Sequence, residues 1–398
     1  MLVSVADARA RVTRAFEPLP PEQVSVADAV GRVLAEDVRA RVTQPPAAVS
    51  AMDGYAVRAA DVADAPITLR VVGTAPAGGA YEGTIGEGEA VRIFTGGPVP
   101  DGADAIVIQE HTEAEGDRVS VLVPAPEGTY IRPAGLDFSA GVVGLAAGRR
   151  LSARDVGLAA AMDVPWLAVR RKPRVALLAT GDEIVRPGDP VGPYQIVSSN
   201  TIALAALVSE AGGEPVDLGI ARDNEESLRR MVAGAAGADV LVTSGGASVG
   251  DHDLVQSVLG RDGLELDFWR IAMRPGKPLM FGRIRGTPLI GVPGNPVSAL
   301  VCGLLFLRPA IDVMLGVTED EKPPETAALG CDLGANDERQ DYLRSRLGRD
   351  ANGELVATPF DRQDSSMLST LVVSDCLVVR PPHAPPARAG ERVEIIRL

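Results

Sequence analysis

Aromatic residues are scarce in this chain. Phe, Trp and Tyr together make up 4% of 398 residues, while apolar residues reach 46%. The cores must therefore be built from Val, Leu, Ile and Ala. Lysine is almost absent, occurring only as Lys172, Lys277 and Lys322, so arginine supplies the other basic positions and Lys277 stands out by rarity. The three cysteines, Cys302, Cys331 and Cys376, are far apart and odd in number, which excludes a disulfide framework and any zinc spacing. His111, His252 and His383 each stand alone, and a lone histidine in a polar turn reads as a surface residue. Positive charge is in deficit: the net charge of −14 argues against non-specific nucleic-acid binding, though local basic residues can still hold an anionic small ligand. Long apolar runs are missing too. The longest, Val297 to Leu307, stops at Arg308 and is too short to span a bilayer, and no basic-then-apolar leader opens the chain. The expectation is a soluble cytoplasmic protein with neither nucleic acid nor membrane as partner. Neither G-x-x-x-x-G-K-[ST] nor a helix-opening G-x-G-x-x-G occurs, which sets aside the two best-known nucleotide motifs.

Glycine (43) and proline (31) are abundant and spread along the chain, the mark of many turns and much β structure. The length suggests about two to four domains. Residues 2–16 and 23–38 have helical spacing, with Ser4 and Ser25 as N-caps and Asp7 and Asp28 in the first turns. Residues 65–145 switch to short β runs (Ile67–Val72, Ala90–Phe94, Ala105–Gln109, Arg118–Val123) between Gly/Pro/Asp turns. A helix returns at 151–163, capped by Ser152. From Pro173 the pattern alternates: strand Arg174–Thr180, helix Thr201–Ala211, strand Glu214–Gly219, helix Glu225–Ala236, strand Asp239–Thr243. The series continues through Val255–Leu259 and the region near Phe268 to strand Pro288–Val292 and a long helix from about Pro296 to Leu315. Alternation of this kind predicts a parallel α/β sheet with ligands at the carboxyl ends of its strands. Glu319–Glu325 reads as a linker, and residues 326–398 carry strand patterning only, at Leu343–Leu347, Leu355–Pro359, Cys376–Arg380 and Arg392–Arg397.

Three strand ends in the α/β region carry polar turns. The most informative is Ser244-Gly245-Gly246-Ala247-Ser248, which follows the apolar run Val240–Val242 and precedes a helical pattern from about Leu254. Strand, glycine turn and helix together build an anion cradle, because backbone N–H groups and the positive helix end point inward. Asp251 and Asp253 beside it imply a divalent cation bridging them to a phosphorylated ligand. The second turn is Thr180-Gly181-Asp182-Glu183. The third is Pro293-Gly294-Asn295-Pro296-Val297-Ser298, where Asn295 suits an N-cap and Pro296 the first helical position, predicting a helix N-terminus open to an anion. Arg274-Pro275-Gly276-Lys277-Pro278 sets two cations on a stiff loop.

Met52-Asp53-Gly54-Tyr55-Ala56, Phe94-Thr95-Gly96, Thr180–Glu183, Ser244–Gly250, Arg274–Pro278 and Pro293–Ser298 follow one another in that order. Together they closely resemble the molybdopterin molybdenumtransferase family, across essentially the whole chain. The resemblance implies a multidomain α/β plus all-β subunit. Residues 1–50 with 140–172 would form a helical and extended N-terminal dimerisation domain, 51–139 a β-rich domain, 173–318 the α/β molybdopterin-binding domain, and 326–398 a small β-barrel-like domain. It implies a homodimer whose active cleft lies between the α/β domain of one subunit and the β-rich domain of the other. It implies a reaction of adenylylated molybdopterin with molybdate and Mg²⁺, yielding molybdenum cofactor and AMP, with a molybdopterin adenylyltransferase as donor.

Carried over by position, Asp53, Thr95, Asp137, Glu183 and Asp223 take the catalytic places. Thr180, Gly181, Ser244, Gly245, Gly246, Ser248, Pro293, Asn295 and Pro296 bind pterin or nucleotide phosphate. Arg274, Lys277, Ser298, Arg344 and Ser365 meet molybdate, and Asp253, Asp251 and Glu183 meet the metal. Many relatives have lysine where Arg274 stands. Arg344 fits the oxyanion-binding arginine better than Arg346, and Asp364 departs from the usual Gln-Gly-Ser, placing a carboxylate beside Ser365. Two other readings are an adenylyltransferase, which would match only about 173–320, and a binding scaffold, which would not need the site carboxylates and cations.

Overall fold

Ser4 starts the first helix by accepting the Asp7 N–H on its hydroxyl at 3.0 Å. The helix, α1 (Val5–Arg14), has Asp7 in its first turn and Arg11 and Arg14 in its last, which suits its dipole. Val5, Ala8 and Val12 form its buried stripe. The structure is a computed structural model and describes residues 2–245, 258, 260–261, 263–318 and 323–398.

Residues 23–38 are not the helix their spacing suggests. β1 (Pro21–Ser25) pairs antiparallel with Trp166–Arg170, placing Gln23 opposite Ala168. Ser25 caps only the 3-10 turn Val26–Asp28, accepting the Ala27 N–H at 3.3 Å. Beyond it the backbone donors bond across the chain, Gly31 to Leu151 O, Leu34 to Arg149 O and Ala35 to Ala168 O. Leu34 and Val38 thereby pack against Leu167 and Val169. Burial and cross-chain bonds outweigh a local helix preference that is worth only tenths of a kcal/mol per residue, roughly.

The β-rich region forms a six-stranded sheet from β2 (Gly54–Val57), β3 (Ile67–Ala75), β4 (Glu89–Ile93), β5 (Ala105–Ile108), β6 (Thr112–Glu115) and β7 (Arg118–Val121), in the order β5-β2-β4-β3-β7-β6. All pairings are antiparallel except β3 with β4. Helix α2 (Ala153–Ala161) follows, with the Ser152 N–H and hydroxyl both donating to Asp155 Oδ2, at 2.7 and 2.6 Å.

The α/β sheet contains β8 (Arg174–Thr180), β9 (Glu214–Ala221), β10 (Val240–Ser244), β11 (Leu264–Trp269), β12 (Met280–Ile284) and β13 (Thr287–Val292), in the order β9-β8-β10-β13-β12-β11. Strand alternation feeds two cores. Val175 and Leu177 join Leu204 and Val208 of α3 (Asn200–Glu210), whereas Ala176 and Leu178 join Leu228 and Val232 of α4 (Glu225–Ala233). Helices on both faces are what such a sheet needs to stay dry. The parallel expectation holds for the pairings among β9, β8, β10 and β13 only; β12 runs against them, and β11 pairs antiparallel with β12. The reason is a two-residue hairpin. Arg285 and Gly286, at φ 50° and 85°, both take the left-handed conformation such turns require.

The long helix is α5 (Pro296–Cys302), a π-helical stretch Gly303–Leu307, and α6 (Arg308–Met314). Its 19 residues are, contrary to the expectation from the apolar run, long and apolar enough to cross a membrane, but 67% of its most apolar stretch is buried inside the protein, as in a core helix. The C-terminal region closes a five-stranded barrel, β14 (Glu325–Leu329), β15 (Gln340–Arg349), β16 (Leu355–Pro359), β17 (Cys376–Arg380) and β18 (Arg392–Arg397), in the circular order β15-β16-β14-β18-β17. It also holds a short helix, α7 (Leu368–Val372), where strand patterning alone was expected. The linker expected at Glu319–Glu325 lies mostly outside the described residues, and Glu325 already belongs to β14.

Candidate active site

The carboxyl ends of β8, β10 and β13 converge. After Thr180, Gly181 turns at φ 141°, and a Cβ there would come within 2.4 Å of a Glu183 carboxylate oxygen. Only glycine lets Glu183 fold back over the strand end. After Ser244, Gly245 takes φ 88°, and a Cβ would meet Thr180 O at 2.7 Å. The Gly245 N–H donates to Val292 O at 3.3 Å, tying β10 to β13. Asn200 completes the junction. Its Nδ2 donates to Ser244 Oγ at 2.8 Å and to Gly294 O at 2.7 Å, and the carbonyl partner fixes which way the amide faces.

These turns line a cavity of about 520 Å³ with Thr180, Glu183, Ser198, Asn200, Ser244 and Asn295 on its walls. The expected Gly245, Pro293 and Pro296 line it as well. Among the described residues Thr180 Oγ1, buried there, has no hydrogen-bond partner, a group that calls for an acceptor, donor or cation. Asn200 was not singled out from the sequence, although the polar run Ser198-Ser199-Asn200 before an apolar helix carries a start signal.

The barrel supplies the remaining wall through Ser366. Ser365 accepts from Asn295 Nδ2 at 2.8 Å, and its carbonyl accepts the Val297 N–H at 3.1 Å. The helix start expected to stand open is thus partly closed by Ser365, because Asn295 reaches across to the barrel instead of capping its own helix. Asp364 folds away onto Ser366, accepting its N–H at 2.8 Å and hydroxyl at 2.7 Å. Those two bonds hold its carboxyl below the usual range. Arg344 lies buried beneath this turn. It donates to Gln363 Oε1 at 3.3 Å and to Met367 O at 3.2 Å, and burial pulls its guanidinium below the ordinary value.

Arg274 points into the barrel. Its fork pairs with Asp341 through both carboxylate oxygens and approaches Asp337 at 3.5 Å. Its own strand segment, Met273–Arg274, pairs in parallel with Gln340–Asp341. Lys277, on the same loop, accepts the Ile271 N–H on its backbone carbonyl at 2.9 Å, and its ammonium makes no hydrogen bond or ion pair among the described residues. Ser298 is buried in the first turn of α5. Asp223 stands beside the Glu183 turn, where its N–H donates to Asp182 Oδ1 and its Oδ2 accepts the Asp182 N–H, each at 3.4 Å. Gly246, Ser248, Asp251 and Asp253 lie outside the described residues.

Asp53 belongs to a different surface. Its Oδ1 accepts both the backbone N–H and the hydroxyl of Thr95, each at 2.7 Å. The Thr95 backbone bond is the main reason its carboxyl sits below the usual range. Asp137 lines a second cavity, of about 820 Å³, with Gln44, Pro45, Gly96 and Arg132. The two cavities share no residue. Among the described residues no hydrogen bond or ion pair joins 51–139 to 173–398.

A cavity of oxygen donors at the carboxyl ends of a largely parallel sheet, walled by a barrel, defines an α/β binding protein for a polar small molecule. Residues 3–162 match the MoeA N-terminal region (domain I and II), 176–313 the probable molybdopterin binding domain, and 326–398 the MoeA C-terminal region (domain IV). The chain is 39% identical over 335 residues to the molybdopterin molybdenumtransferase of Nostoc sp., covering 82% of this chain and 77% of that one. It is 34% identical to the enzyme of that name from Haemophilus influenzae, over 95% of this chain and 94% of the other. The crystal structure of the molybdopterin biosynthesis moeA protein of Pyrococcus horikoshii superposes with TM-score 0.85 at 33% identity, covering 100% of this chain and 99% of that one. The chain belongs to the molybdopterin molybdenumtransferase family.

Proposed function

We propose that this chain inserts molybdate into adenylylated molybdopterin, with Mg²⁺-dependent release of AMP, and so completes molybdenum cofactor. The observation that carries this reading is the cavity at the three strand ends. Its size suits part of a pterin–nucleotide, and its walls combine hydroxyls, the Asn200 and Asn295 amides and the Glu183 carboxylate with the apolar side chains of Ile184, Ile196 and Val197. Glu183 and the Thr180 hydroxyl, which has no partner among the described residues, are hard oxygen donors, the chemistry Mg²⁺ prefers. Glu183 would hold the ion, together with Asp251 and Asp253. When bound, Mg²⁺ would neutralise charge on the substrate phosphates.

The chain's own groups do the rest. Ser244 and Gly245, held in place by Asn200, receive the pterin or nucleotide phosphate. Lys277 supplies the positive charge for the molybdate substrate, while Arg274 and Arg344 shape the oxyanion site from behind, one through Asp341 and the other through the Gln363–Met367 turn. Asp53, Thr95 and Asp137 would complete the site from the partner subunit of a homodimer. The separation of the two cavities, with no hydrogen bond or ion pair among the described residues joining 51–139 to 173–398, supports that arrangement. The reaction would run in the cytoplasm, with a molybdopterin adenylyltransferase as donor.

The test is AMP release from adenylylated molybdopterin with Mg²⁺, with and without molybdate. The reading expects release that depends on molybdate and yields active cofactor. Tight binding with no release under either condition would instead support a scaffold.

A further inference from the structure

Asp53 is held by more than Thr95, and the additional contacts converge on one side chain, Arg92. Arg92 sits on β4 directly across from Tyr55 on β2, so the two side chains share a face of the sheet. Phe94, two residues on, shares that face too. The guanidinium lies 5.1 Å from the Tyr55 ring centre and 4.9 Å from that of Phe94, a cation between two aromatic faces. From there Nη1 donates to Gly54 O at 3.0 Å and Nη2 to Gln109 Oε1 at 2.8 Å. Gln109 in turn donates its own N–H to Asp53 O at 3.0 Å. The bonds form a closed ring running from Asp53 through Gly54, Arg92 and Gln109 back to Asp53.

Gly54, where the ring meets the sheet, is closely packed. A Cβ at this position would lie 2.0 Å from Val107 O, so the residue after Asp53 must be glycine, the least conformationally restrained residue. Gly54 opens β2 and is paired with Ile93 on one side and Ile108 on the other, so the backbone after Asp53 is fixed, and the bonds on Gly54 O and Asp53 O extend that order to the turn that carries the carboxylate.

We propose that Arg92 is a positioning residue for Asp53: wedged between Tyr55 and Phe94, it locks the Asp53–Gly54 turn so that Thr95 holds one carboxylate oxygen and the other faces outward. The proposal rests on the reading that Asp53 serves the reaction. The charge of Arg92 also adds, after the two Thr95 bonds, to keeping Asp53 ionised.

Arg92→Met removes the charge and both hydrogen bonds while keeping an apolar chain between the rings. Arg92→Lys keeps the cation but cannot fork to two acceptors. Each would be assayed for molybdate-dependent AMP release, alongside Asp53→Asn. Amide exchange at Thr95, whose N–H bonds Asp53 Oδ1, is read in the same variants. Displacing a reacting group by about an ångström costs on the order of 100-fold. Arg92→Met is therefore expected to lower kcat by about 10- to 100-fold with KM nearly unchanged, Arg92→Lys to fall between it and wild type, and Thr95 exchange to quicken selectively. Normal kcat in Arg92→Met, with Asp53→Asn inactive, would refute the positioning role and leave Asp53 in place. An active Asp53→Asn would instead refute the reading of Asp53 on which the proposal depends. Exchange that quickens equally across β2, β4 and β5 would show Arg92 to be a sheet stabiliser and overturn the proposal.

Discussion

Glu183 and Asp53 are both carboxylates on glycine-containing turns, but the chain surrounds them differently. Glu183 folds over Gly181 beside a cavity lined by its own chain, with Asn200 tying two strand ends together and Ser366 arriving from the barrel. Asp53 stands on an exposed turn, held from one side by Thr95 and from below by the Arg92 ring. The first region is a container; the second is a tool with no container of its own. No bond among the described residues links them. The contrast teaches that a binding pocket and a reactive side chain can be built to separate tolerances, the pocket by packing and the side chain by hydrogen bonds.

The largest effects should come from removing either carboxylate. Asp53→Asn and Glu183→Gln are each expected to lower turnover by on the order of 100-fold or more, comparable to losing one preorganised polar group at a reacting centre. Asp53→Asn should leave pterin binding intact, whereas Glu183→Gln should weaken it, as measured by separate kinetic and calorimetric titrations. If both shift binding equally, the contrast between container and tool fails. A smaller effect is expected at Asn200. Asn200→Ala strands the buried Ser244 hydroxyl, at a cost of about 1–3 kcal/mol in urea unfolding. It should raise KM and leave Thr95 amide exchange untouched. The smallest effect concerns the Arg274 tie to the barrel. Hydrogen bonds from Arg339, with Arg274 nearby, hold Asp337 down to about 2 from an ordinary 3.8. A carboxylate depressed on folding stabilises above its ordinary value and loses that contribution as pH falls through the folded one. Asp337→Asn should therefore lower Tm slightly at neutral pH, with the gap to wild type closing between pH 3.8 and about 2.

Much of the container could be read from the sequence. Thr180-Gly181, Ser244-Gly245 and Asn295-Pro296 stand where short-range rules put strand ends and helix starts, and all but Gly181 line one cavity. What escaped depends on partners distant in sequence. Asn200 joins groups 44 and 94 residues away, and Asn295 is turned from its own helix by Ser365, 70 residues on. Residues 23–38 carry helical spacing, yet the strand Trp166–Arg170 claims them. The antiparallel edge of the sheet was legible in principle, since Arg285-Gly286 between Met280–Ile284 and Thr287–Val292 is a hairpin signal; the surrounding strand–helix alternation masked it. Family resemblance, rather than any local rule, singled out Asp53.

The central claim is that the two regions form one site across a dimer. The direct measurement mixes chains carrying Asp53→Ala with chains carrying Lys277→Ala, with formation of mixed dimers confirmed by mass spectrometry. A two-fold dimer with shared clefts gives each mixed pair one intact site, so an equal mixture should recover about a quarter of wild-type activity. Mixed dimers no more active than either parent would contradict the account and place each site within a single chain.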